Sequence, residues 1–154
     1  MGQVKILSGV SGSGKSTFGR GLRADLTVSA DDFFVTSDNK YNFDPSKLGQ
    51  AHAACFREYI HALTNLGDTL VVVDNTNTTE SEISPYVLGA SAFGWNVEII
   101  TISVPNTKEM VELCAKRNAH NVPANVIQAQ MSRLVNRKLP PWWNHRTVSM
   151  VAHG

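Results

Sequence analysis

Residues 9–16 read GVSGSGKS, a full match to G-x-x-x-x-G-K-[ST], and Thr17 follows. No other stretch constrains the fold of this chain as tightly. A loop of this composition turns successive backbone N–H groups inward, where they cradle phosphate oxygens. Gly9, Ser11, Gly12, Ser13, Gly14, Lys15, Ser16 and Thr17 are the expected phosphate-contacting positions. Lys15 reaches the β/γ-phosphates as a point charge, and the Ser16 hydroxyl suits Mg²⁺. The loop needs a strand before it and a helix after it, whose N-terminal dipole faces the same anion. Residues 4–8 supply the apolar run, and residues 18–23 a helix weakened by Gly19 and Gly21.

Four more short apolar runs, 26–29, 69–73, 97–103 and 147–151, read as strands. Between them lie predicted helices over 45–66, 80–93, 107–119 and 123–138. The first carries Leu48, Ala51, Cys55, Tyr59 and Leu63 at helical spacing, with Asp44 as N-cap and Pro45 at N1. In the second, Pro85 must fall in the first turn or mark a break. Thr107 is the cap of the third. Alternating strands and helices argue for an α/β fold with a mainly parallel sheet and right-handed crossovers. Ligands of such sheets bind at the carboxyl ends of the strands. That rule selects residues 9–16, Asp31-Asp32 and residues 74–77.

At 154 residues the chain suits one domain with a real core. It shows no apolar run of membrane-span length and no signal-peptide pattern, which suits the cytoplasm. Cys55 and Cys114 read as reduced, buried thiols. Charge is uneven. Residues 1–100 carry 7 Lys/Arg against 11 Asp/Glu, a net −4, and residues 101–154 carry 7 against 2, a net +5. A basic C-terminal third suits a phosphate-rich ligand or a solvated helix face.

Asp31 and Asp32 follow the second strand. One such carboxylate can take the proton of an attacking hydroxyl and the other can hold metal-bound water. Asp31 is the candidate base and Asp32 a metal-side residue; a turn cap is the plainer role for either. Asp74 ends the buried-type run LVVVD, where an acidic residue meets the Mg²⁺ water shell. Asn75 and Asn77 lie in the polar loop after it, as acceptor-binding or simple connecting residues. Arg117 is a candidate for stabilising the transferred charge, and Arg133 on the next helix a second; each alone also reads as a surface arginine.

Taken together, GVSGSGKST, SADDFF, YNFDPSKLGQAH, VVVDNTN, SPYVLGASAFGWNVEII and AKRNAHNVPANVI, with Arg133 beyond, resemble the P-loop kinases of the polynucleotide-kinase type. That group includes Nedd4-binding-protein-like P-loop domains, phage polynucleotide kinase and phage 5-hydroxymethyluracil DNA kinases. The resemblance runs from residue 4 to about residue 135. It implies a P-loop NTPase fold over residues 1–154: a three-layer αβα sandwich around a mainly parallel five-stranded sheet, with a helical lid. It implies ATP, Mg²⁺ and transfer of the γ-phosphate to a hydroxyl of DNA, with Asp31 as general base and Arg117 as lid arginine. One departure is that Phe33-Phe34 stand where phage polynucleotide kinase has an arginine that handles the acceptor. The 5-hydroxymethyl group of 5-hydroxymethyluracil is then the expected acceptor, with a 5′-hydroxyl strand end as the alternative. A base inside a duplex must be flipped out and stacked. Phe33 and Phe34 are candidates for that platform, and Trp142-Trp143 with His145 and Arg146 for further stacking and phosphate contacts. Core packing is the alternative for the phenylalanines, and a terminal clamp for the tryptophans. A small-molecule kinase and a non-catalytic nucleotide-binding module are the remaining readings.

Overall fold

A computed structural model of the protein describes residues 2–150. The chain runs β1 (Gln3–Ser8), α1 (Lys15–Gly21), β2 (Leu26–Val28), α2 (Leu48–Asn65), β3 (Leu70–Asp74), α3 (Glu80–Ala92), β4 (Asn96–Ser103), α4 (Lys108–Arg117), α5 (Ala124–Asn136) and β5 (His145–Ser149). All strands are parallel, in the order β2-β3-β1-β4-β5. β1 lies at the centre, with Leu7 beside Asp74 of β3 and Ile100 of β4. That register sets Asp74 level with the start of the glycine-rich loop. The expected strands thus form; of the run 147–151, Val151 lies outside the described residues.

The two sheet faces are sorted by the alternation of the strands. Val4, Ile6, Val71, Val73 and Ile99 face α2 and α3, in a core completed by Tyr59, Leu63, Ile83, Tyr86 and Trp95. Leu7, Val72, Ile100 and Ile102 point the other way, toward Phe18 and Leu22 around α1. Gly19 of α1 is buried because a Cβ there would stand 2.8 Å from Leu7, so the helix lies close on the strand. A third cluster, Val10, Met110, Val111, Cys114, Ile127 and Met131, packs α4 and α5 together beside the loop. These two helices occupy the place expected of the lid. Cys55 and Cys114 are both free and buried, as expected.

Caps mark the helix starts. Thr79 accepts a hydrogen bond from Glu82 N–H (3.2 Å), and its hydroxyl donates to the Glu82 carboxylate (3.1 Å), a reciprocal cap on α3. Thr107 accepts from Met110 N–H (3.1 Å) on α4. Asp44 caps as predicted, but residues Pro45–Lys47 form a 3₁₀ turn before α2 proper, and Leu48 at its start is exposed. Pro85 corrects a second expectation: it sits inside α3, which continues through it. Its missing N–H would have served the Ser81 carbonyl. Ser81 and Pro85 lie on the exposed side, where water can serve that group.

Tyr59 is fully buried, and its hydroxyl donates to the Tyr86 carbonyl of α3 at 2.7 Å. Tyr59→Phe removes that bond in a site water does not reach. The variant is expected to lose about 1–2 kcal/mol of stability, read as a lowered midpoint in thermal unfolding.

Candidate active site

The glycine-rich loop is braced from three sides. At its entry, Gly9 N–H donates to the Thr76 carbonyl (2.9 Å). Along its length, Gly12 (φ 79°) and Gly14 (φ 95°) take left-handed backbone. A Cβ on Gly12 would run into the backbone of Cys114 in α4, so this position admits glycine alone. From α5, Gln130 accepts from Ser11 N–H with Oε1 (2.9 Å). Among the described residues the Ser13 hydroxyl, buried in the loop, has no partner.

Lys15 and Ser16 both turn to Asp74. Lys15 Nζ lies 2.6 Å from Asp74 Oδ1, and Ser16 Oγ donates to Asp74 Oδ2 at 2.9 Å. A hydroxyl and a carboxylate oxygen side by side, with a cation next to them, are a donor set that suits a hard divalent ion beside phosphate. The residues present therefore fit Mg²⁺ with ATP. Asp32, the third expected metal-side residue, lies near enough for the Asp31 and Asp74 charges to act on it. Partial desolvation, and then those two neighbours, hold its carboxyl above the usual aspartate range.

Asp31 and Asp32 sit in a 3₁₀ turn, Ala30–Phe34, capped by Ser29, which accepts from Asp31 N–H (3.2 Å). The cap is thus Ser29, and both carboxylates are left for other work. Asp31 is half-exposed and has two further neighbours. Tyr41 donates its hydroxyl to Asp31 Oδ1 (3.2 Å), and His120 Nε2 stands 3.4 Å from Oδ2. The contact with Asp31 adds to burial in pushing the Tyr41 phenol up to about 12. Beside the turn is a cavity of about 190 Å³ lined by Ser29, Asp32, Phe33, Ala51, Cys55 and Glu58, among others.

Several expected acceptor contacts are corrected. Asn75 is buried: its Oδ1 accepts from Ala30 N–H (2.9 Å), which fixes the start of the Asp31 turn. Asn77 is buried with φ 47°, and its Nδ2 donates to the Leu7 carbonyl (2.8 Å). Both side chains are committed to backbone. Phe34 is buried in the main core, while Phe33 is 40% exposed, so only one ring of the pair is open to stacking. Trp143 packs against the main core and Trp142 is exposed. His145 bonds to Thr101 (2.8 Å), and Arg146 pairs with Glu98 (3.2 Å), so neither is a free phosphate contact.

Arg117 ends α4 with its side chain exposed, and its Nη2 lies 3.8 Å from where a Cβ on Gly14 would stand. This is where a guanidinium can reach phosphates on the loop. Arg133 instead donates Nε–H to Thr78 (2.9 Å). Sequence reasoning missed Gln130, Tyr41 and Arg137. Arg137 donates to Ser8 Oγ (2.7 Å), the Asn77 carbonyl (2.8 Å) and Thr101 (2.8 Å), tying the ends of three strands together. Its burial draws its pKa down. A helical stripe of Ile127, Gln130, Met131 and Leu134 was the one available signal for Gln130, a polar residue on an apolar face.

Residues 4–137 match a family described as an AAA domain. Among solved structures, a chain of the Pnkp1/Rnl/Hen1 RNA repair complex is 25% identical with a TM-score of 0.69, over 87% of this chain. This chain spans 44% of that one, less than half its length. A gluconokinase from Sinorhizobium meliloti 1021 is 17% identical (TM-score 0.61), covering 96% of this chain and 82% of its own. The Mycobacterium tuberculosis APS kinase CysC, seen with AMPPNP and APS, is 15% identical (TM-score 0.54), covering 96% and 88%. The last two share the fold. Among the described residues no helix is long and apolar enough to cross a membrane.

The gathered carboxylates predict a measurable stability effect. Because the Asp32 pKa is raised by folding, its ionisation works against the folded state. That loss grows as pH rises from the ordinary aspartate range through the raised value. Asp32→Asn should therefore raise the melting temperature of the nucleotide-free, metal-free protein at pH 7. The gain should vanish below the ordinary aspartate range, as thermal melts over a pH series will report.

Proposed function

Because the chain belongs to this AAA domain family, a P-loop fold, we propose that it is an ATP-dependent kinase that phosphorylates a hydroxyl on DNA. The observation that carries the reading is the Lys15–Asp74–Ser16 cluster under the glycine-rich loop, with Asp31 presented from the neighbouring strand end. A loop that only bound nucleotide would have no use for a half-exposed carboxylate at the end of β2. Similarity to a chain of an RNA repair complex supports a nucleic acid acceptor.

Each residue then has a task. Ser16 and Asp74 would hold Mg²⁺, with Asp32 toward its water shell; the ion neutralises charge on the β- and γ-phosphates. Lys15 moves from Asp74 to the phosphates. Asp31 accepts the proton of the acceptor hydroxyl as its oxygen bonds to the γ-phosphorus and the bond to the β-phosphate oxygen breaks, releasing ADP. Arg117 meets the charge on the transferring group.

For the acceptor, the 5-hydroxymethyl group of 5-hydroxymethyluracil fits best. The cavity beside Asp32 has no basic residue in its lining, and Phe33 borders it with an exposed ring. Such a recess suits a flat heterocycle better than a strand end with its phosphates. The similarity to the RNA repair complex chain keeps a 5′-hydroxyl polynucleotide kinase as the second reading.

The test is label transfer from γ-labelled ATP with Mg²⁺ to two oligonucleotides. One has blocked ends and a single internal 5-hydroxymethyluracil; the other has a free 5′-hydroxyl and ordinary bases. Label on the first alone is expected; label on the second alone selects strand-end chemistry, and label on neither refutes a DNA acceptor. Asp31→Asn should lower kcat about 10²- to 10⁴-fold while ATP binding, followed by calorimetry, is retained. Arg117→Ala should lower kcat more than it raises the KM for ATP. Lys15→Ala should weaken nucleotide binding and transfer together.

A further inference from the structure

The segment between α4 and α5 reads Arg117-Asn118-Ala119-His120-Asn121-Val122-Pro123, and the proposed reaction uses only its first residue. The rest is a built loop. Asn118 Nδ2 donates to the carbonyls of Cys114 (3.1 Å), Ala115 (2.9 Å) and Val122 (3.1 Å). Its Oδ1 accepts from the N–H of His120 (3.2 Å) and of Val122 (2.7 Å). Asn121 takes left-handed backbone at φ 57°. This folding sends the His120 ring out of the lid helices to the Asp31 turn.

There the ring stacks on Tyr41, centroids 4.1 Å apart, and Nε2 stands 3.4 Å from Asp31 Oδ2. Tyr41 is fixed in turn by a bridge from Val35 and by Thr36 N–H to the Lys40 carbonyl (2.8 Å), and donates to the other oxygen of Asp31. Two rings from separate parts of the chain thus each approach one oxygen of one carboxylate, Tyr41 with a hydrogen bond and His120 at 3.4 Å. Among the described residues His120 Nδ1 is buried with no partner. A ring placed for stability alone would turn to satisfy both nitrogens. One left with an unpaired buried nitrogen is held by another constraint, here its contact with Asp31.

We propose that His120 is a positioning residue that ties the orientation of the Asp31 carboxylate to the placement of the lid. Arg117 at one end of the segment stands by the phosphate loop and His120, three residues on, stands by Asp31. Any displacement of this segment therefore shifts the arginine and the contact to Asp31 together. Nε2 lies 3.4 Å from the Asp31 carboxylate, and His120 touches no reacting atom. The proposal rests on the reading of Asp31 as the base.

The test uses the full chain, ATP with Mg²⁺, and both oligonucleotides described above. His120→Ala should lower kcat about 10- to 100-fold, leaving the KM for ATP within about twofold. His120→Gln, which keeps an N–H donor of similar reach, should restore most of the rate. Tyr41→Phe should lower kcat by a smaller factor. Equal losses in His120→Ala and His120→Gln together with weakened ATP binding, or an unchanged rate in His120→Ala, would overturn it. Asp31→Asn separates the two levels: full activity there removes the base reading, and this proposal with it, whereas a dead Asp31→Asn beside a normal His120→Ala removes this proposal alone. A readout needing no acceptor is the melting shift of Asp31→Ala, His120→Ala and the double variant. Non-additive shifts are expected, and strict additivity would overturn the contact.

Discussion

A loop that keeps its N–H groups for a ligand has little left with which to hold itself. Its own backbone makes a short turn bond, Ser13 N–H to the Val10 carbonyl at 3.2 Å, and its shape otherwise comes from outside. Seen this way, much of the molecule is a brace. The left-handed Asn77 ties the loop after β3 to the end of β1, Arg137 ties both to β4, and α4 and α5 close on the far side through Cys114 and Gln130. Arg137 does this with neutral partners, so a half-buried guanidinium serves as a multi-point donor more than as a charge.

What the sequence made legible was what is written locally. The loop, the strands and most helix starts depend on residues within a few positions of one another, and they formed as expected. Asn75 and Asn77 were open to misreading because small polar residues after a strand look alike whether they meet a ligand or hold backbone. Burial distinguishes them, and burial depends on the whole fold. Phe33 and Phe34 separated because adjacent residues of a 3₁₀ turn point in different directions. Gln130 and Arg137 were hidden by distance: their bonds to Ser11 and Ser8 cross 119 and 129 positions of sequence. Net charge by segment left two readings open for the same reason. The basic C-terminal third dissolves into separate tasks, with Arg137 bracing strands, Arg146 paired with Glu98 and 5.9 Å above the Phe18 ring, and Arg117 at the loop.

The site is divided by charge. Lys15 and Arg117 lie on the loop side, where phosphates would arrive. Asp31, Asp32 and Glu58 lie on the other side, at the 3₁₀ turn and its cavity. Carboxylates gathered on one side draw cations to the boundary between the halves. Partial burial, and then the Asp31 and Asp74 charges, raise the Asp32 pKa, so gathering these carboxylates opposes the stability of the fold.

The pair formed by Lys15 and Asp74 has a consequence for how ligands enter. Each charge is neutralised by the other at 2.6 Å. A nucleotide that draws Lys15 away must break that pair, leaving a partly buried carboxylate uncompensated. A cation arriving alone meets an Asp74 already satisfied. The two ligands therefore each lower the barrier to the other, and by linkage the help is mutual. If ATP and Mg²⁺ bind here as proposed, this ion pair would couple them, and the affinity measured for one would depend on the concentration of the other.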